Sequence, residues 1–273
     1  MIASYAHISI ISRLTPLKKF NVLYYGYDRH IKTFLEYQDN INSVTHVMPT
    51  SKLHYEEIAK EASNTYSKEW IKTIFGIDPK SVIATHLSAH HKLHNIYIRD
   101  FDYKLPPSTI DLPENSIIFN PYSMQSCPMR GHWRFIPEAL EWLLKNTDWN
   151  IVMVGQKKYD HAKWGEFEFP IFIKHPRLLD LVDKTESMID VLSLVEQCKG
   201  IVTTSNSLSM WSAAAKKPTL VMLNTVLENP AKDTAVYYFR KWIEHDSNLL
   251  LSNWATLEDF EKAVEQWKAS IGA

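Results

Sequence analysis

The sequence predicts an α/β protein built from two successive units, each a parallel sheet with helices on both faces. Three observations carry that prediction. Short apolar runs alternate with segments of helical period along the chain. A stretch with three prolines, Lys104 to Asn115, breaks the alternation as an extended connector. The strand–helix pattern then starts again. The 273 residues suit two modest domains, and 45% hydrophobic with 22% charged residues fits a packed core rather than a disordered chain.

Taken in order, Ile8, Ile11 and Leu14 recur at helical spacing between Ile8 and Leu17. Asn21 to Tyr25 reads as a buried strand ended by Gly26, Asp28 to Tyr37 as a helix, and Ser43 to Met48 as a second strand. An amphipathic helix over His54 to Phe75 and a short strand over Ser81 to Thr85 complete the first unit, residues 1–108. In the second unit, residues 109–252, strands are expected at Ile117 to Asn120, Asn150 to Val154, Ile171 to Lys174, Gly200 to Thr204 and Thr219 to Leu223. Helices are expected at Phe135 to Lys145, Met188 to Cys198 and Ser207 to Ala215, the last stopped before Pro218. A terminal helix from Thr256 to Ser270 lies within residues 253–273, capped by Thr256 with Asp259 three residues on, and is expected to pack back near the interdomain region.

Charge and cysteine content narrow the partners. Lys plus Arg total 30 against 31 for Asp plus Glu, so no whole-chain field draws the protein to nucleic acid or anionic lipid. Cys127 and Cys198 have no metal-type spacing and make no disulfide framework, which points to a reducing compartment. With no secretory signal and no apolar run of spanning length, a cytoplasmic location is expected.

The chemistry concentrates in Gly200-Ile-Val-Thr-Thr-Ser-Asn-Ser-Leu-Ser-Met-Trp-Ser-Ala-Ala-Ala-Lys-Lys-Pro218. A buried strand enters a cluster of hydroxyls, Thr204, Ser205 and Ser207, and a helix of small residues begins at once. A helix start carries unpaired amides and the positive end of the dipole, so a diphosphate could sit there. The plainer reading is that Ser and Asn are simply helix caps.

Four pieces in chain order resemble the C-terminal domain of heptosyltransferase-like GT-B glycosyltransferases. They are Ile118-Phe-Asn-Pro-Tyr-Ser123 leading to Arg130-Gly-His-Trp-Arg-Phe-Ile-Pro137; Ile151-Val-Met-Val-Gly155; Leu181-Val-Asp-Lys-Thr-Glu-Ser-Met-Ile-Asp-Val191; and Ser205-Asn-Ser-Leu-Ser-Met-Trp-Ser-Ala-Ala. The resemblance implies two Rossmann-like domains facing a cleft, the first reduced, with the second binding a nucleotide-diphosphate sugar. It implies donor contacts from Ser123, Arg130, Trp133, Arg134, Lys184, Thr185, Thr204, Ser205, Asn206 and Ser207. An Arg fork suits phosphate oxygens.

The departures lie at chemically important places. Asn206 stands for the family Asp, Leu208 for its Gly and Trp211 for its His. The Lys of Lys-x-Trp falls at Gly131, and the Gly before Lys184 is Asp183. In the N-terminal half the family has a first strand and a Gly-Asp-x-x-His loop whose Asp is the general base. This chain starts within that loop, so either the strand is lost or the assigned start is late. Ser4 stands where the Asp would be, and His7 keeps the His position and becomes the first candidate base.

His86, His90 and His94 lie four apart, so a helix would stack them on one face. A metal site or an acceptor patch is one reading and a polar helix face the other; His86 and His90 are kept as second candidate bases. Most tryptophans read as core residues, with Trp133 and Trp211 singled out by their place in the motifs. Val236 to His245 mixes aromatic and basic residues in the manner of an amphipathic helix.

The resemblance implies an inverting, metal-independent glycosyltransferase with no cofactor, the nucleotide sugar being its substrate and a bacterial-type glycan its acceptor. Two alternatives stand beside it: a phage-type DNA glycosyltransferase acting on a hydroxymethylated base, and a non-catalytic sugar-nucleotide-binding protein. A sugar-nucleotide epimerase is a third. The sugar, the base and the oligomeric state are not legible in the sequence.

Overall fold

A computed structural model describes residues 19–25, 29–48, 103–107, 110–122, 134–161, 165–168, 173–204, 206–222, 249–251 and 255–272. The chain divides into two units, Met1–Pro106 and Pro107–Ala273. The expected elements at 8–17, 54–75 and 81–85, and the segment 236–245, lie outside the described residues.

In the first unit β1 (Phe20–Tyr25) pairs in parallel with β2 (Ile41–Val47), and α1 (Arg29–Glu36) makes the crossover. Parallel neighbours need such a connection, because a tight turn cannot reverse the chain twice. Phe34 and Leu35 bury the inner face of α1. Gln38, itself buried, ties the proline-rich segment to this unit. Its amide donates to the Phe34 carbonyl (2.7 Å) and the Lys104 carbonyl (2.8 Å), and its oxygen accepts from the Lys104 amide (2.9 Å).

The second unit holds a six-stranded sheet. Its members are β3 (Ser116–Asn120), β4 (Asn150–Met153), β7 (Leu178–Asp180), β8 (Gly200–Thr204), β9 (Thr219–Met222) and β10 (Leu249–Leu251), in the order β10-β9-β8-β3-β4-β7. Every pairing in it is parallel. β3, β8 and β9 are buried along their whole length, which is why their sequences read as continuous apolar runs.

Alternation along the strands divides the core in two. Ile117, Phe119, Ile151, Met153 and Val202 face one cluster with α2 (Ile136–Asn146) and α5 (Leu257–Lys268). Ile118, Val152, Val154 and Ile201 face the other with α3 (Met188–Gln197) and Leu208 of α4 (Ser207–Ala214). Successive strand residues point to opposite faces, so the helices must cover both.

Local signals set the helix ends. Ser187 with Asp190 and Thr256 with Asp259 form reciprocal capping boxes on α3 and α5, the second as expected. Past α4, Lys216 has φ +56° and the Lys217 amide bonds back to the Ser212 carbonyl at 2.9 Å, with Pro218 just beyond. The terminal helix belongs to the second unit's own core, where Phe260, Val264, Trp267 and Ile271 are buried.

Two expectations need correction. The strand placed at Ile171 to Lys174 is displaced: residues 173–175 have no strand structure, and β7 pairs with β4 seven residues later. Leu178 and Leu179 are too short an apolar run to stand out, and only the pairing with β4 selects them. The crossover from β4 to β7 also contains an antiparallel hairpin, β5 (Lys158–His161) with β6 (Gly165–Glu168), in a stretch for which no element was expected.

Candidate functional site

Since the sheet is parallel, the carboxyl ends of its strands gather along one edge. From β3 the chain runs to β4 and β7 on one side, then returns to β8 on the other and continues to β9 and β10. The direction therefore reverses between β3 and β8. Loops leaving two such strands diverge to opposite faces and open a crevice, the usual place for a ligand in an open α/β sheet.

Asn120 ends β3 at this point, Thr203 and Thr204 end β8, and Asn206 follows just before α4. The Asn206 side-chain amide donates to the Asn120 Oδ1 (2.6 Å) and the Thr204 hydroxyl (3.1 Å). The Thr203 hydroxyl donates to the same Asn120 oxygen (3.1 Å), and Asn120 Nδ2 donates to the Val154 carbonyl at the end of β4 (2.7 Å). Asn120, Thr203 and Thr204 are all buried. Each polar atom of this cluster thus finds a partner, as burial demands.

Asn206 also caps α4. Its Oδ1 accepts from the backbone amides of Leu208 (2.8 Å) and Ser209 (3.4 Å), and the Ser209 hydroxyl returns a bond to the Asn206 carbonyl (2.6 Å). The plainer reading of the sequence is therefore realised at this residue: two amides of the helix start are satisfied by its own cap. Thr204 stands behind the edge, with its hydroxyl bonded to Asn206.

The Lys184–Thr185 segment lies on the same edge, after β7. Asp183 has φ +57°. An L side chain tolerates that left-handed conformation poorly, and Asp is among the few that adopt it. Its amide bonds to the Gly155 carbonyl (3.0 Å), and its carboxylate accepts from the Lys157 amide (3.2 and 3.3 Å). Gly155 itself has φ +128°, which only glycine holds without strain. The two loops after β4 and β7 are thereby fastened together. We expect Asp183→Gly to stay within about 1 kcal/mol of the parent, because backbone relief offsets the lost carboxylate, and Asp183→Val to lose about 2 kcal/mol. Urea unfolding of the pair checks this order.

Lys184 is exposed, and its ammonium donates to the Asp180 carbonyl at 2.6 Å. Thr185 is half-buried. Arg134, exposed, precedes α2 with its guanidinium 5.2 Å from the Phe135 ring centre. Trp211 is a core residue, 3% exposed. Ser207 opens α4 through its backbone. Ser123, Arg130, Trp133 and Ser205, and the candidate bases His7, His86 and His90, lie outside the described residues.

Two other groups on the unit are silenced as reagents. Burial, aided by the Glu138 carboxylate, pushes the Tyr122 phenol up to about 12. Burial likewise pushes the Cys198 thiol up to about 12 against the opposing pull of Lys217. Neither loses its proton near neutrality. Among the described residues no cluster of His, Cys, Asp and Glu could hold a metal ion, and no helix is long and apolar enough to cross a membrane.

Solved structures carry the comparison. The chain superposes on E. coli ADP-heptose lipopolysaccharide heptosyltransferase II with a TM-score of 0.60 at 12% identity, covering 100% of this chain and 96% of that one. The fold is that of the GT-B heptosyltransferases. A glycosyl transferase family 9 protein from Veillonella parvula gives 0.56 at 13% identity, with 98% and 85% covered. E. coli heptosyltransferase WaaC with ADP gives 0.55 at 12%, with 97% of each chain covered. The chain matches no family model, and no curated protein matches it in sequence.

Asn120 and Thr203 are site residues that no sequence motif singled out. The signal was present: an amide closes an otherwise apolar central strand directly before Pro121, where a buried polar group needs a reason.

Proposed function

We propose that the chain is a glycosyltransferase moving a sugar from a nucleotide-diphosphate sugar to an acceptor hydroxyl, with the donor held by the second unit. The observation that carries this reading is the reversal of strand order between β3 and β8, with the neutral Asn120–Thr203–Asn206 cluster and the start of α4 at that point. The heptosyltransferase fold supports it, and E. coli WaaC has been solved with ADP and with ADP-2-deoxy-2-fluoro heptose.

The roles follow from the chemistry of each group. Asn206 satisfies two α4 amides, so the helix start contributes its dipole and the loop 204–207 rather than a full set of free donors. Cationic contacts to the diphosphate fall to Arg130, Arg134 and Lys184, and hydroxyl contacts to Ser123, Ser205 and Ser207. Charge stabilisation of the departing diphosphate by these groups would let the reaction run without a metal. Direct attack of the acceptor oxygen on the anomeric carbon would invert it, with His7, or else His86 or His90, taking the proton.

A glycan acceptor is taken ahead of DNA because a heptosyltransferase that shares the fold is a lipopolysaccharide enzyme, and the chain's near-neutral net charge supplies no field to draw a polyanion.

The test is binding of UDP, ADP, GDP and CDP by calorimetry, followed by transfer from the matching sugar nucleotides to a panel of glycan acceptors. We expect one diphosphate to bind with a clear preference and its sugar to be transferred. Binding without turnover by any acceptor would favour the non-catalytic protein, and no binding at all would end the proposal.

A further inference from the structure

We propose that Asn120 is a positioning residue for the donor loop, acting through Asn206, and that the two amides form a matched pair. This rests on the glycosyltransferase reading above. Asn120 is 6% exposed, yet its side chain serves three strand ends at once: β3 that carries it, β4 through the Val154 carbonyl, and β8 through Thr203 and Asn206.

The bonds fix which way each amide faces. Asn120 Nδ2 is held by a carbonyl that can only accept, so Oδ1 must face β8. There it can receive only donors, and it receives the Asn206 amide, with the Thr203 hydroxyl also in reach, a group that can turn instead to the Thr204 carbonyl. With Asn206 Nδ2 committed to Asn120 and Thr204, its Oδ1 must face α4, where it accepts the Leu208 and Ser209 amides. A chain of single-valued choices therefore runs from Val154 to the start of α4.

A carboxylate at 206 would still cap the helix but could donate nothing to Asn120 Oδ1. The two acceptors would confront each other, and Asn120 could not flip without turning its own oxygen onto Val154. The Asn found where the family has Asp is thus matched to the Asn at 120. A bond between residues 86 apart in sequence thus ties Asn206, at the start of α4, to the end of β3.

Asn206→Ser and Asn120→Ala, singly and together, test this with Kd for UDP, ADP, GDP and CDP measured beside Tm. Serine keeps a capping oxygen, so the fold is expected to survive while the link to Asn120 is lost. The expected result is a Kd raised about tenfold by Asn206→Ser at nearly unchanged Tm. Asn120→Ala should weaken binding similarly, and the double variant should be no weaker than the worse single. A Kd within twofold of wild type for Asn206→Ser overturns the proposal, as do independent, multiplying effects of the two changes. If Asn120→Ala does not fold, the Asn206→Ser result alone decides. Wild type binding no nucleoside diphosphate would bring down the functional reading and this inference together, whereas tight wild-type binding with an unaffected Asn206→Ser would sink only this one.

Discussion

Trp267→Ala is expected to destabilise the second unit by about 3–5 kcal/mol, the range for removing a buried aromatic side chain. For a unit of this size that lowers Tm by roughly 10 °C or more. Trp267 is fully buried on the inner face of α5 and meets Trp149 edge-on, with ring centres 5.8 Å apart at 78°. Edge-to-face geometry sets the positive rim of one ring against the negative face of the other, adding to simple burial. The same ring explains Gly200. A Cβ at Gly200 would meet Trp267 at 2.7 Å and Ile271 at 2.9 Å, closer than side-chain carbons approach. Gly200→Ala is therefore destabilising in the wild type, by about 1–3 kcal/mol as an overpacked core. In the Trp267→Ala background the added methyl enters the vacated space and the penalty should shrink, with only the Ile271 contact left to resist it. Thermal unfolding of the four proteins in the cycle reads this coupling; equal penalties in both backgrounds would contradict the packing account.

Arg177→Leu is expected to lose about 3 kcal/mol. The half-buried guanidinium donates to the Thr147 carbonyl (2.7 Å), the Trp149 carbonyl (2.8 Å) and the Leu144 carbonyl. These groups close α2 and begin the approach to β4, where the last carbonyls of a helix have no partner within it. One planar cation satisfies two carbonyls of the helix end, Leu144 and Thr147, together with that of Trp149 before β4, and adds a favourable charge at the negative end of the dipole. Leucine matches the aliphatic stem but leaves the carbonyls unpaired. Arg177→Lys should recover only part of the loss, because a single ammonium cannot reproduce the fork. A Tm for Arg177→Leu within 2 °C of wild type would show that water replaces the guanidinium.

How far the site could be read in the sequence depends on the range of the forces involved. Gly200 to Thr204 is a strand at the limits expected, and Thr256 caps α5 with Asp259, because burial of a central strand and a capping box are both written in neighbouring residues. β10 has three residues and β7 has two leucines and an aspartate; neither has enough length to show a period. They are strands because a neighbouring strand offers them hydrogen bonds. The hairpin β5–β6 escaped notice for a related reason, since each four-residue strand holds a single large apolar residue, too few to show a period.

By itself the sequence determined β3, β4, β8, β9 and the four helices of the second unit, the proline-rich break, and the clustering of hydroxyl and amide side chains after β8. Those features arise from periodicity, capping and backbone restriction, which act over a few residues. Only the tertiary structure decided that the chain reverses between β3 and β8, that Asp183 takes a left-handed turn fastened to Gly155, and that Asn206 caps α4 while gripping Asn120. A side-chain amide has both a donor and an acceptor. Which of them faces which partner is settled only when strands far apart in sequence are brought side by side.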